Sequence, residues 1–162
     1  FCLSRGLGDV YKRQVFNSIN ISASALTAQR VRMDTVSSNL ANMDTTRAKL
    51  VDGQWQPYRR KLVSTAPKGE SFSSVLQSSM NASARVGEGV KVTKISEDKT
   101  PFKLVYDPTH PDANEDGYVQ MPNVDPLKEM VDLMGSTRSY EANVTAMNAT
   151  KGMLMKALEI GK

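Results

Sequence analysis

The sequence predicts an α+β protein: two long terminal helices paired as a coiled-coil-like hairpin, with a small β-rich module between them. Three observations carry this. Apolar residues recur every seven positions near the start of the chain, and by alternating threes and fours near its end. Between these patterns lies a stretch of Gly, Ser and short alternating runs. Of the 162 residues, 15–46 and 124–162 are assigned to the helices, 47–123 to the middle segment, and 1–14 are set apart.

Residues 1–14, "FCLSRGLGDVYKRQ", lack an initiator Met and hold the sole cysteine, Cys2. They are expected to be a non-native, disordered leader; a genuine disordered extension is the alternative. Setting aside Arg5, Lys12, Arg13 and Asp9 leaves 18 basic and 16 acidic residues, a net of +2 against +4 for the whole chain. That is no footprint for nucleic acid. Beyond Cys2 the chain offers neither a disulfide framework nor a thiolate metal site. No apolar run approaches the roughly 20 residues of a membrane helix, and no secretory leader is visible.

The first helix is read from about Phe16 to Asp44. Ile19, Leu26, Met33 and Leu40 lie seven apart, and Val36 and Met43 add a second seam. Ser22 and Gln29 interrupt that seam, and Ala23, Ala25 and Ala28 keep one side thin. The last helix is read from Asp125 to Ile160. Asp125 suits the cap and Pro126 the first helical position. Its stripe runs through Met130, Met134, Thr137, Tyr140, Val144, Met147, Lys151, Leu154 and Leu158, ending before Gly161. A helix with one apolar stripe is marginal alone in water, and the other terminal helix is the simplest partner.

The middle segment carries strand and turn signals. "VDGQWQPYRRKLV" has an Asp52-Gly53 turn and then a strand-like run. "GESFSSVLQSSMNASARVGEG" reads as a loop anchored by Phe72, Val75 and Leu76. "GVKVTKI" and "PFKLVY" alternate, and with "SEDKT" between them are expected to form a hairpin.

No constellation suggests catalysis. Asp112, Asn114, Asp116 and Gly117 fit the opening of a calcium loop, but Asn123 stands where a bidentate Glu is needed, Pro111 precedes the loop and Pro122 sits within it. An ordinary Asp/Asn/Gly turn is the better reading. His110 is the sole histidine and has no companion ligand. No nucleophile elbow or phosphate loop is present. The basic run Arg59 to Lys61 reads as a solvated strand face, and Arg138 and Glu141 as a weak intrahelical pair. No enzyme activity, cofactor, metal, nucleic acid or small-molecule substrate is expected.

Two terminal stretches resemble the bacterial flagellar rod and hook proteins. "ALTAQRVRMDTVSSNLANMDTT" is similar to their N-terminal signature, with Asn39-Leu40-Ala41-Asn42 followed by Thr45 or Thr46. "RSYEANVTAMNATKGMLMKALEIGK" is similar to their closing helix, and "YDPTHPDANEDGYVQMPNVDPLKEMVDLM" to proximal-rod members in particular. The resemblance covers nearly all of residues 15–162. It implies a structural subunit that polymerises, with copies of itself and other rod proteins, into a helical tube transmitting torque from motor to hook. It also implies periplasmic placement in the basal body, and export through the flagellar type III apparatus without a cleaved signal.

On that reading Ile19, Leu26, Met33, Val36 and Leu40 face Met130, Met134, Val144, Met147, Leu154 or Leu158 within one subunit. Ser37, Ser38, Asn39, Asn42 and Asp44, with Tyr140 and Asn143, are left to contact neighbours or cap the helix end. The rival reading is a soluble coiled-coil adaptor or an export chaperone of a secretion system, which explains the helices but not the β segment.

Overall fold

The structure is a computed structural model and describes residues 3–51, 53–68 and 89–160. Helix α1 spans Leu3–Ala41, and helix α2 spans Pro126–Ile160. Between them lie β1 (Lys49–Val51), β2 (Gln54–Gln56), β3 (Lys61–Pro67), β4 (Val90–Glu97), β5 (Lys103–Tyr106) and β6 (Tyr118–Met121). The strands form three two-stranded sheets, β1-β2, β3-β4 and β5-β6. The α+β class is therefore present, with long helices at both ends.

Helix α1 runs through residues 3–14. The segment lacks proline, and adding turns to an existing helix is easier than nucleating one. Helix α1 ends where Asn42 takes over the orphan carbonyls. Its side chain donates to the Ser38 carbonyl at 2.8 Å and accepts from Thr45 Oγ1 at 3.3 Å. Helix α2 starts as its sequence suggests: Asp125 Oδ1 accepts from the Leu127 amide at 3.2 Å, and Pro126 needs no partner for the N–H it lacks.

Strand pairing departs from the expected hairpin of "GVKVTKI" with "PFKLVY". Strand β4 pairs with β3 instead, in an antiparallel ladder bracketed by Asp98 N–H to Arg60 O at 2.8 Å and Lys68 N–H to Gly89 O at 2.7 Å. The reason is local. The Asp98 carboxylate accepts the Thr100 amide at 3.0 Å, and this Asx turn leads the chain off the ladder rather than back along it. Strand β5 then pairs antiparallel with β6, Leu104 opposite Gln120 and Tyr106 opposite Tyr118. Gly117, at φ +78°, makes the turn into β6. In β1-β2, Leu50 faces Trp55 across residues 52–53, with Gly53 at φ +80°. The Phe72, Val75 and Leu76 anchors lie outside the described residues.

Contacts divide the described residues into two units. One takes those within Phe1–Arg30, Thr65–Thr93 and Thr137–Lys162; the other takes Val31–Ser64 and Lys94–Ser136. In the first, Ser24 Oγ accepts the Val90 amide at 3.0 Å, tying α1 to the start of β4, and Ala28 is buried. In the second, Val36, Tyr58, Val119 and Val124 form a small apolar core beside buried Thr35, Asn39, Glu129 and Ser136. Its polar content is high because α1 and α2 meet here through side-chain hydrogen bonds.

Candidate functional site

The second unit holds the most organised group of side chains in the described protein. Asn39, near the end of α1, is 1% exposed, and Glu129, in the first turn of α2, is 0% exposed. The Asn39 amide nitrogen donates to Glu129 Oε2 at 3.0 Å and to the Lys61 carbonyl at 2.9 Å. Its oxygen accepts from the Lys61 amide at 2.9 Å and from the Tyr58 hydroxyl at 3.0 Å. All four hydrogen-bonding positions of the side chain are used. The orientation of the amide follows from chemistry, since a backbone N–H can only donate and a carbonyl can only accept.

Glu129 is held from its other side. Arg60 Nε donates to Glu129 Oε1 at 2.6 Å, while Arg60 Nη2 reaches Asp132 at 3.4 Å and Nη1 lies 3.9 Å from Asp98. The Arg60 amide donates to Asn123 Oδ1 at 2.8 Å, and Asn123 Nδ2 donates to Thr100 Oγ1 at 2.8 Å. The Asp98 carboxyl is held below its usual range, first by the Thr100 amide and with a smaller contribution from Arg60. Each buried charge thus has a partner of opposite sign or a donor, the condition for tolerating charge in a protein interior.

A second cluster sits at the surface of the same unit. Arg47 Nε donates to Asp112 Oδ1 at 2.7 Å, and Thr46 Oγ1 to Asp112 Oδ2 at 2.8 Å. Arg47 is the main cause of a lowered Asp112 pKa, with Thr46 next. The residue that opened the calcium-like count therefore has both oxygens engaged by protein groups.

The outer side of α2 carries Leu127, Met130, Val131 and Met134, spaced i, i+3, i+4 and i+7 and all exposed. They form one apolar row over two turns, about 10 Å along the axis. Junction and row are suited to holding elements and offering a surface, and among the described residues no group of three or more potential metal ligands occurs.

Comparison with known proteins fits that picture. A family model described as "Flagella basal body rod protein" matches residues 19–49, and one described as "Flagellar basal body rod FlgEFG protein C-terminal" matches 115–160. The chain is 78% identical over 147 residues to the flagellar basal-body rod protein FlgC of Bacillus subtilis, covering 91% of this chain and 98% of that one. It is 42% identical to the FlgC protein of Borreliella burgdorferi over 90% of this chain and 97% of the relative. The Escherichia coli O157:H7 protein is 43% identical, over 91% and 98%. The chain belongs to the FlgC-type flagellar basal-body rod proteins. It is a structural rod subunit of the flagellar basal body.

For this rod subunit the structure redistributes the residues that the sequence singled out. Val36 is buried; Ile19, Leu26, Met33, Leu40, Val144, Met147 and Leu154 are half-buried. Met130, Met134 and Leu158 are 48%, 54% and 70% exposed, so the monomer does not enclose them between its helices. The correction is one of helix phase. The inward row of α2 begins Glu129, Leu133, Ser136, one residue ahead of the apolar stripe. Asn39, assigned to contacts with neighbours, is buried inside its own subunit. Asn42 caps α1, and the Asn143 amide donates to the Ser139 carbonyl at 2.8 Å. Ser37 and Asp44 are exposed; Ser38 and Tyr140 are half-buried.

Arg60, read as part of a solvated strand face, is instead the counter-ion of Glu129. Tyr58 and Glu129 are not singled out by the sequence at all, and Asn123 only as the residue that spoils a calcium loop. Their one local signal is position: Glu129 falls in the first turn after the Asp125 cap, and Tyr58 lies just ahead of the strand that begins at Lys61. No helix among the described residues is long and apolar enough to cross a membrane.

Proposed function

We propose that this rod subunit polymerises with copies of itself and with other rod proteins into a helical tube, using its terminal helices. The tube lies in the periplasm and passes torque from motor to hook. The middle segment sits outside that inner layer, and the subunit is delivered unfolded by the flagellar type III export apparatus without signal cleavage. It has no catalytic role. The half-buried seam of Ile19 and Leu26 pairs with that of Val144, Met147 and Leu154 as a coiled coil.

One observation carries the assembly reading: the exposed row Leu127, Met130, Val131 and Met134 on α2. A contiguous apolar row on a soluble subunit favours a partner. Covering one such side chain completely is worth about 1.5–3 kcal/mol, so four provide a useful interface core. If the patch that receives the row differs from the row itself, the contact is head-to-tail and generates an open helical filament rather than a closed dimer.

The test is co-assembly. Purified protein is mixed with other rod proteins and viewed by electron microscopy, beside Met134→Asp and Met130→Asp. Rods from the parent and at least tenfold fewer from either variant are expected. A parent chain that stays monomeric in every mixture would instead support the adaptor or chaperone reading.

A further inference from the structure

The buried junction closes into a ring. Asn39 links α1 to Glu129 of α2; Glu129 is joined by Arg60 to the chain entering β3; Lys61, the next residue, returns to Asn39. The two bonds between the Asn39 amide and Lys61, one given and one received, copy the pairing that a neighbouring strand residue would make. The end of α1 therefore engages β3 as though it contributed one residue of sheet.

Such a ring adds little net stability, because desolvating its charges offsets much of their attraction. It discriminates sharply between registers. Moving α1 by one residue shifts Asn39 by about 1.5 Å and rotates it by about 100°. That single step would break the Asn39 bonds to the Lys61 peptide, the Tyr58 hydroxyl and one Glu129 oxygen together, the last two of them buried. Apolar neighbours such as Val36 and Met33 impose no comparable penalty, since hydrophobic contact is non-directional. The exposed row Leu127, Met130, Val131 and Met134 occupies the same turns of α2 as Glu129, so its placement follows the register of the ring.

We infer that Asn39 is the register key of the subunit: its amide fixes the height and rotation at which α1 meets β3 and α2. Through Glu129 it thereby sets where α2 presents its apolar row to a neighbour. The second statement rests on the assembly reading above; the first concerns the isolated chain alone.

Spin labels at Ser37→Cys and Lys128→Cys, both exposed positions, read the α1–α2 distance in a Cys2→Ser background. The parent should give one narrow distance. Replacing the ring by Asn39→Leu, Arg60→Met and Glu129→Leu together should split the distance distribution or at least double its width. A single unshifted distance overturns the key. If the triple variant does not fold, Asn39→Gln carries the same readout, because it keeps the amide but displaces it by one methylene. A shifted or split distance supports the key, and the parental distance overturns it. The unlabelled variants are then mixed with other rod proteins. Altered distances with normal rods overturn the presentation step, whereas a parent that forms no rods counts against the assembly reading and leaves the distance result standing.

Discussion

The two sides of the first turns of α2 reverse the usual arrangement. The inner side carries Glu129 and Ser136, both buried, with Leu133 between them; the outer side carries Leu127, Met130, Val131 and Met134. A free-standing protein would gain by turning this helix about its axis. The hydrogen bonds of Glu129 to Asn39 and Arg60 oppose that rotation. The contrast teaches that specification and adhesion are carried by different faces of one helix. The polar face decides where the helix sits within its subunit, and the apolar face is left for a partner.

The contrast can be tested from its strongest side to its weakest. Glu129→Ala should lower stability most, by about 3–5 kcal/mol, because it leaves Arg60 half-buried without its main partner; urea unfolding followed by circular dichroism measures it. Asn39→Asp should come next, at about 2–3 kcal/mol, although the two side chains have nearly the same shape. It replaces a donor by an acceptor that faces the Lys61 carbonyl and a Glu129 oxygen. If Asn39→Asp unfolds at the parental urea concentration, the donor bonds are not important.

On the outer side, Val131→Ser and Met134→Asp should shift stability by no more than about 0.5 kcal/mol, since neither residue is enclosed in the monomer. A loss several times larger would show that this face is covered within the subunit, and the contrast would fail. The smallest effect belongs to the surface pair Arg47–Asp112. The Arg47 guanidinium, with the Thr46 hydroxyl, holds the Asp112 carboxyl below the usual carboxylate range. A carboxyl whose folded-state pKa is lowered adds stability that is present above its unfolded value and lost as pH falls through the folded one. Between pH 5 and pH 2, Arg47→Ala should therefore lose slightly less melting temperature than the parent. Equal acid sensitivity would place the stabilisation of Asp112 elsewhere.

Features decided by neighbouring residues were legible in the sequence. Asp125 and Pro126 announce the start of α2 because a cap acts within one turn, and the Asp-Gly pair announces the β1-β2 hairpin for the same reason. Strand partners were not legible. Both β4 and "PFKLVY" alternate correctly, and only the Asx turn at Asp98 and the alternative partners β3 and β6 decide against pairing them. The phase of α2 was missed for a sharper reason. Counting apolar residues assumes that the greasiest stripe faces inward, and Met130 and Met134 satisfy that count while pointing outward. The Asn39-x-x-Asn42 pattern drew attention to the right stretch, but a sequence cannot show that Lys61 and Glu129, 22 and 90 positions away, meet there.

Trp55, the only tryptophan, lies on β2 and is 56% exposed in the folded chain. Three residues later Tyr58 is buried against Asn39. The indole thus meets solvent whether the chain is folded or not, so its emission will report unfolding poorly and must not be taken as evidence for an unfolded subunit. The same exposure makes it a useful native reporter of association: any neighbour that covers β2 will shift Trp55 emission to shorter wavelength, without a label.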